Sequence, residues 1–328
     1  MNKNRNLHNA KHAKNDEFYT QLTDIEKELS HYRKHFKNKT VLCNCDDPRV
    51  SNFFHFFSYN FERLGLKKLI TTCYCNDQPD LFSKNDRDEA IYLEYDGAKD
   101  GDRIPNPKDI GIKYLKGNGD FRSDECIELL KQADIVVTNP PFSLFREYVA
   151  QLMEYEKKFL IIGNPNAVTY KEIFPLVKDG KLWVGNKSMG TDMLFDLPID
   201  FAKELAATKK EGSGYKIIDG VIKGRAFAIW FTNLPHKKRN EELVLTKRYR
   251  GNEGNYPKYD NYNAIEVSKV INIPKDYKGV MGVPISFLDK YNPNQFEIVK
   301  FRHGDNDKDL SINSKCPYFR ILIRHKAN

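Results

Sequence analysis

The most informative stretch of the chain is DIVVTNPPFSLF, which runs from Asp134 to Phe145. Apolar and β-branched residues in its first part predict a short strand that ends at Thr138 and is buried on both faces. Asn139, two prolines and Phe142 follow directly, and an apolar stripe at helical spacing comes after them. An amide, two rigid residues and an aromatic ring are therefore predicted to lie in a loop between a buried strand and a helix.

Three further runs predict strands of the same kind. They are Lys39–Cys45, Lys67–Cys75 and Phe159–Gly163, and helical segments lie between the strands. Short strands that are apolar throughout and alternate with helices are typical of a parallel sheet with helices on both faces. The predicted fold class is therefore α/β, with a Rossmann-like sheet. Because ligands bind at the carboxyl ends of such strands, the loop at Asn139 is a candidate site.

Other segments carry local signals. Thr23 and Glu26 have the spacing of a capping box, which predicts the start of a helix. Ser123 precedes an acidic turn and predicts the start of another. Residues 78–110 are polar and rich in aspartate, which indicates a long irregular connection, and residues 181–185 and 225–231 predict two further strands.

The composition is that of a globular protein with a moderate positive charge. The chain has 328 residues, with 53 Lys and Arg against 45 Asp and Glu, so its net charge is +8 and nucleic acid is a plausible partner. No apolar run approaches the ~20 residues of a membrane span, and the N-terminus lacks the apolar core of a signal peptide. We therefore expect a cytoplasmic protein that does not enter a membrane. The six cysteines fit a reduced compartment.

The amino-acid composition changes near Asn233, beyond which Tyr, Asn, Lys, Pro and Gly dominate. We predict a flexible basic arm at residues 1–14, a main domain at residues 15–232 and a separate C-terminal region at residues 233–328. Two basic clusters lie in the last region, namely Lys237, Lys238 and Arg239, and Lys247, Arg248 and Arg250. Each cation could contact phosphate or belong to a solvated face, and the sequence leaves both interpretations open.

The loop at Asn139 suits one chemical task. The exocyclic amine of adenine is a poor nucleophile because its lone pair is delocalised into the ring, and groups that accept hydrogen bonds from the amine localise that pair. Asn139 offers a side-chain carbonyl oxygen and Pro140 a backbone carbonyl, while Pro140 and Pro141 restrict the backbone in advance. Phe142 offers a ring face for an extruded base. The competing interpretation is an ordinary helix N-terminus with proline in its first turn.

An ordered series of motifs gives the chain a resemblance to a known family. In chain order the series contains KNDEFYTQ (Lys14–Gln21), CNCDDPRVSNFF (Cys43–Phe54), GDFRSDE (Gly119–Glu125), DIVVTNPPFSLFREY, KKFLIIGN, NYPKYDNYNAI, YKGVMGVPISFLDKYNP and DLSINSKCPYFRILI. The chain resembles the EcoRI-type adenine-specific DNA methyltransferases over nearly its whole length. The resemblance implies transfer of a methyl group from S-adenosylmethionine to the N6 amine of a flipped adenine in double-stranded DNA.

The resemblance also implies roles for individual residues. Asn139, Pro140, Pro141 and Phe142 would hold the adenine. The residues expected at the S-adenosylmethionine site are Phe18, Tyr19, Thr20, Asp46, Asp47, Pro48, Asp77, Asp120 and Phe121. The two basic clusters would contact DNA. We expect a monomer, and the resemblance allows a cognate restriction endonuclease that acts separately.

Two features depart from the usual pattern of such enzymes. The segment CNCDDPRVSN lacks the glycines that normally let the backbone approach the cofactor. An acidic residue is expected at the end of the second strand, but Asn76 comes first there and Asp77 follows it. Asp77 equally suits a solvated turn. Methylation of RNA bases or of a protein glutamine, and a DNA-binding protein without catalysis, stay open as alternatives.

Cys43, Cys45, Cys73 and Cys75 form two Cys-x-Cys pairs. Four thiolates could bind zinc, but a spacing of two on neighbouring strands favours small residues of the core. We therefore predict no metal site.

Overall fold

The computed structural model describes residues 20–45, 47–75, 89–97, 107–197 and 199–326. The arm predicted at residues 1–14 lies outside the described residues, as do Phe18, Tyr19, Asp46 and Asp77.

Fifteen strands are described. They are β1 (Thr40–Cys43), β2 (Lys68–Thr72), β3 (Ile91–Tyr95), β4 (Lys113–Tyr114), β5 (Ile135–Thr138), β6 (Lys158–Gly163), β7 (Trp183–Val184), β8 (Met193–Asp196), β9 (Tyr215–Ile218), β10 (Val221–Ala226), β11 (Ile229–Thr232), β12 (Ala264–Glu266), β13 (Val280–Pro284), β14 (Phe296–Phe301) and β15 (Arg320–His325). The α-helices are α1 (Leu22–Leu29), α2 (Asn52–Tyr59), α3 (Phe61–Leu64), α4 (Pro107–Ile110), α5 (Asp124–Gln132), α6 (Phe145–Glu154), α7 (Phe174–Lys178) and α8 (Ile199–Thr208).

The chain divides into two compact units. The first comprises Met1–Pro165 with Thr191–Leu234, and the second comprises Asn166–Gly190 with Pro235–Asn328. Residues 166–190 thus group with the C-terminal residues, whereas the sequence placed them in the main domain. The functional division at residue 233 stays a prediction.

The main sheet of the first unit contains the strands β4-β3-β2-β1-β5-β6-β11, in that order. Strand β1 pairs in parallel with β2 and with β5, and β5 pairs in parallel with β6. The parallel arrangement predicted for these four strands is therefore confirmed. Strands β3, β4 and β11 run antiparallel to their neighbours, so the sheet as a whole is mixed.

Helices cover both faces of this sheet, as predicted. Val41 packs in the core with Ile25 of α1 and Phe53 of α2, on one face. On the other face the ring of Phe145, in α6, lies 4.9 Å from that of Phe231 in β11. Because side chains alternate along a strand, short buried strands supply apolar groups to both layers.

Three local predictions had different outcomes. Ser123 caps α5 as predicted, since its hydroxyl oxygen accepts a hydrogen bond from Cys126 N at 3.3 Å. The capping box at Thr23 is wrong, because α1 begins at Leu22 after Gln21 and no side chain caps it. The prediction of an irregular connection over residues 78–110 is also wrong in the described part of that segment, which contains β3 and α4. The acidic flanks obscured β3, whose residues alternate between buried and half-buried.

The strand predicted at residues 225–231 is two strands. Strand β10 ends at Ala226 and β11 begins at Ile229, with Phe227 48% exposed between them. Strand β10 joins the antiparallel sheet β8-β10-β9, whereas β11 joins the main sheet. The apolar run therefore serves two different sheets.

The second unit has a sheet of its own, in the order β12-β13-β15-β14. A polar group is buried beside it, where the Tyr259 hydroxyl donates to Glu266 Oε2 and Arg320 pairs with the same carboxylate at 2.8 Å. Gly282 leaves room for this arrangement, because a Cβ there would overlap the Tyr259 hydroxyl. Within the described residues, no helix has the length and apolar character needed to cross a membrane.

Candidate active site

Asn139 lies immediately after β5 and is 1% exposed. Its Nδ2 donates to Thr20 Oγ1 at 3.5 Å, and the carbonyl of Thr20 accepts from Asn52 Nδ2 at 2.8 Å. Thr20 also forms a β-bridge with Phe195. The structure thus brings Thr20, from the N-terminal motif, to the residue at the end of β5.

The residues after Asn139 form a tight connection into α6. Pro140 is buried, and Pro141 and Phe142 are half-buried. The carbonyl of Pro141 accepts a hydrogen bond from Leu144 N at 2.9 Å, which closes a 3₁₀ turn over Phe142–Leu144. Part of the Phe142 ring packs against the core. The ring is therefore held in place while another part of its surface stays accessible.

Asn44 is a residue of this region that sequence reasoning missed. Thr138 Oγ1 donates to its backbone carbonyl, and the hydroxyl of Tyr148 donates to its Oδ1 at 2.5 Å. Burial raises the pKa of Tyr148 well above its usual value, so the hydroxyl keeps the proton that it donates. The available signal in the sequence was an asparagine directly after the first buried strand, just as Asn139 comes directly after β5.

The loop after β1 contains Asp47 and Pro48, which are both buried. Asp47 Oδ1 accepts from the backbone N and from Nε of Arg49, at 3.0 and 3.3 Å. Its carbonyl accepts from Ser51 N at 2.8 Å, next to the cap of α2. Cys45 has a φ of 80°, a conformation that usually requires glycine. The chain thus adopts this conformation just after β1 without a glycine.

Asp120 lies beside the carboxyl end of β2, because Cys75 N donates to Asn118 O at 2.7 Å. Gly119 permits the close approach, since it has a φ of 77° and a Cβ there would overlap the carbonyl oxygen of Cys73. Asp120 accepts from Arg122 Nε at 2.9 Å and Nη2 at 2.7 Å. These bonds hold the pKa of the Asp120 carboxyl below its usual value.

Phe121 is buried, 7% exposed, with its ring edge-on to Tyr148 at 4.9 Å. Its carbonyl accepts from Gln151 Nε2 of α6 at 3.0 Å. Helix α6 therefore contacts both the segment around Asp120 and the end of β1, and it begins directly after the turn at Phe142.

The predicted DNA contacts lie in the second unit. Four of the six cations are exposed, namely Lys237, Lys247, Arg248 and Arg250. The Asp276 carboxylate accepts from the backbone of Tyr249 at 2.6 Å and of Arg250 at 3.3 Å, which shapes the turn that carries the second cluster. Lys238 and Arg239 are half-buried and contact residues of their own unit.

The cysteine pairs contribute to the core. Cys43 and Cys73 are 3% and 2% exposed, and burial raises the pKa of Cys73. Across the part of the chain that the structure describes, no group of three His, Cys, Asp or Glu side chains is placed to hold a metal ion.

A mixed sheet with helices on both faces, and an Asn-Pro-Pro-Phe loop at the carboxyl end of one of its parallel strands, define the class of methyltransferases that modify amino groups. The chain belongs to the family described as "Adenine-specific methyltransferase EcoRI", which matches residues 6–326. It is an adenine-specific DNA methyltransferase, as the resemblance implied.

Curated relatives match the chain almost from end to end. It is 52% identical to Type II methyltransferase M.EcoRI of Escherichia coli, over 98% of this chain and 97% of that protein. It is 44% identical to Type II methyltransferase M.MgeORF184P of Mycoplasma genitalium, over 96% and 97% of the two chains. It is 40% identical to Type II methyltransferase M.MpnI of Mycoplasma pneumoniae, over 97% and 98%. No solved structure gives a significant match.

Proposed function

We propose that this enzyme transfers a methyl group from S-adenosylmethionine to the N6 amine of an adenine that is flipped out of duplex DNA. The observation that carries the proposal is the rigid loop at Asn139–Phe142, which stands at the carboxyl end of β5 with Asn139 buried and within 3.5 Å of Thr20. A base inside a duplex cannot reach such a recessed group, so the adenine must leave the stack.

The acceptors act on the adenine amine. Asn139 Oδ1 and the Pro140 carbonyl accept one hydrogen bond each from N6, which localises the nitrogen lone pair as the new bond forms. Because the loop is fixed by two prolines and by the turn at Phe142, little reorganisation accompanies the reaction. The exposed part of the Phe142 ring stacks on the base.

The cofactor site uses residues at the same edge of the sheet. Bound S-adenosylmethionine supplies an activated methyl group on a sulfonium sulfur. The Asp120 carboxylate fits the amine of the cofactor's adenine, because Oδ2 accepts one bond from Arg122 and keeps capacity for another donor. Asp47 acts through the shape of its loop, since its carboxylate is engaged by Arg49.

The remaining predicted residues complete the site. Thr20, Pro48 and Phe121 would line it, with Phe18, Tyr19, Asp46 and Asp77 contributed by the rest of the chain. We further propose that the enzyme acts as a monomer on duplex DNA, and that any cognate restriction endonuclease is a separate protein.

Nucleoside mass spectrometry tests the reaction. DNA from methylation-free cells that express the parent should contain N6-methyladenine, and DNA from cells that express Asn139→Ala should lack it. The exposed Asn294 provides a matched control, because Asn294→Ala should methylate like the parent.

Cofactor binding separates a catalytic defect from a folding defect. S-adenosylmethionine at about 100 times its Kd should stabilise the parent, and Asn139→Ala equally, by about 2.7 kcal/mol. A parent that binds the cofactor and leaves DNA adenine unmodified would contradict the proposal and direct attention to RNA.

A further inference from the structure

We propose that Arg239, stacked on Trp183, binds a phosphodiester of the DNA backbone at a pocket of the second unit. This inference rests on the proposed function and assigns a distinct task to one residue of the first basic cluster. The pocket is lined by residues of α7, β7 and the segments around His236 and Asp289.

The charge of Arg239 is not balanced inside the protein. Its guanidinium carbon lies 3.7 Å from the centre of the Trp183 ring, and the side chain is half-buried. Within the described residues Arg239 forms no ion pair, and burial lowers the pKa of its guanidinium. Stacking on tryptophan offsets only part of the loss of hydration, so a bound anion would recover the rest.

The carboxylate that lines the pocket does not supply that anion. Asp289 accepts from Ser188 Oγ at 2.7 Å and from Met189 N at 2.8 Å, and Lys238 Nζ lies 3.6 Å from its Oδ1. Lys238 also donates to the carbonyl of Asn186 at 2.9 Å. Asp289 and Lys238 therefore neutralise one another, and the guanidinium of Arg239 remains as the net charge of the pocket.

A phosphodiester matches this geometry. A guanidinium presents a planar fork of N–H donors to phosphate oxygens, and a ring beneath it fixes the orientation of that plane. Phosphate is also the group that a DNA-modifying enzyme meets at every step of the duplex. Arg239 would thus position the duplex without reading its sequence, whereas Lys238 belongs to the internal structure of the unit.

Salt-dependent binding to duplex DNA tests the proposal. The dissociation constant of the full-length parent and of Arg239→Gln is measured by fluorescence anisotropy between about 50 and 200 mM salt, on a methylatable duplex and on an unrelated one. Arg239→Gln should weaken binding to both duplexes by the same factor, about tenfold, and the log–log slope should fall by about 0.9. Arg324→Gln removes the same charge from an exposed pair with Glu297 and should leave the slope unchanged.

Two further variants separate charge from stacking. Arg239→Lys keeps the charge but loses the planar fork, so it should retain the parent's slope and bind more weakly. Trp183→Leu should weaken binding although the charge of Arg239 is intact. These two variants test the proposal if Arg239→Gln fails to fold. A folded Arg239→Gln that keeps the parent's affinity and slope would overturn the proposal. If Arg239→Gln does not fold, the proposal is overturned when Arg239→Lys and Trp183→Leu both bind with the parent's affinity and slope. A parent that shows no salt-dependent DNA binding would instead count against the proposed function.

Discussion

The Tyr148 hydroxyl donates a 2.5 Å hydrogen bond to Asn44 Oδ1 and so joins α6 to the carboxyl end of β1. Thr138, the last residue of β5, donates to the backbone of the same asparagine. Strand β5 and helix α6, on the two sides of the Asn139 loop, are therefore both hydrogen-bonded to Asn44 at the end of β1. These two bonds restrict the elements at which the loop begins and ends, as the role that we propose for the loop requires.

Tyr148→Phe should lower the free energy of unfolding by about 1–3 kcal/mol. The substitution keeps the ring but leaves the buried Oδ1 of Asn44 without this donor. Urea denaturation measures the change. Tyr114→Phe is the control, because Tyr114 is 61% exposed and its variant should differ from the parent by less than about 0.5 kcal/mol. Equal losses in the two variants would contradict the role of the bond.

Gly163→Ala should reduce both stability and turnover. A Cβ at Gly163, the last residue of β6, would overlap the ring of Phe145, which begins α6 just after the turn at Phe142. Overpacking of this kind costs about 1–3 kcal/mol, and displacement of α6 should lower kcat. Methylation kinetics and thermal melting measure the two effects.

The matched control is Gly117→Ala, because no atom of the described residues lies within 4 Å of the added Cβ. This variant should behave like the parent in both measurements. Normal kcat in a stably folded Gly163→Ala would show that the position of Phe145 does not govern the loop.

The contribution of Asp120 to stability should depend on pH. Hydrogen bonds from Arg122 lower the pKa of its carboxyl in the folded state. The pair therefore stabilises the protein above the unfolded pKa of about 3.9, and this contribution disappears as the pH falls through the lower folded pKa. Because Arg122 is half exposed, we expect at most about 1 kcal/mol.

Arg122→Gln removes the cause of that shift. Its deficit in unfolding free energy should be largest near neutral pH and should vanish once the pH has fallen through the lowered pKa of the folded-state Asp120 carboxyl. Denaturation of the two proteins at several pH values measures the difference, and a deficit that does not change with pH would contradict the assignment.

Two arginines of β15 should differ sharply in their effect on stability. Arg320 and its partner Glu266 are 13% and 8% exposed, so Arg320→Leu leaves a buried carboxylate without this positive charge and should cost about 3–5 kcal/mol. Arg324 and Glu297 are 48% and 46% exposed, so Arg324→Leu should cost about 0–1 kcal/mol. Chemical denaturation compares the variants. Similar losses of unfolding free energy would mean that the buried pair stabilises the protein no more than the exposed pair does.

Much of the fold follows from local pattern. Apolar runs at residues 41, 68, 135 and 159 predict the parallel strands, because a strand buried on both faces needs apolar side chains throughout. Strand β3 escaped prediction because it pairs antiparallel with β2 at the edge of the parallel strands, and its flanks are acidic. The capping box failed because the N-cap of α1 is Gln21, two residues before the Thr23 that the side-chain spacing suggested.

The chemistry that we propose for Asn139–Phe142 follows from residue types and from their place after a strand, since both depend on neighbours in sequence. Which groups meet there depends on contacts between distant segments, such as Thr20 with Asn139 and Tyr148 with Asn44. The same holds for the basic cluster at residues 237–239, whose members look alike in sequence. Only tertiary packing pairs Lys238 with Asp289 and places Arg239 on Trp183, because burial and neighbouring charge are properties of the folded chain.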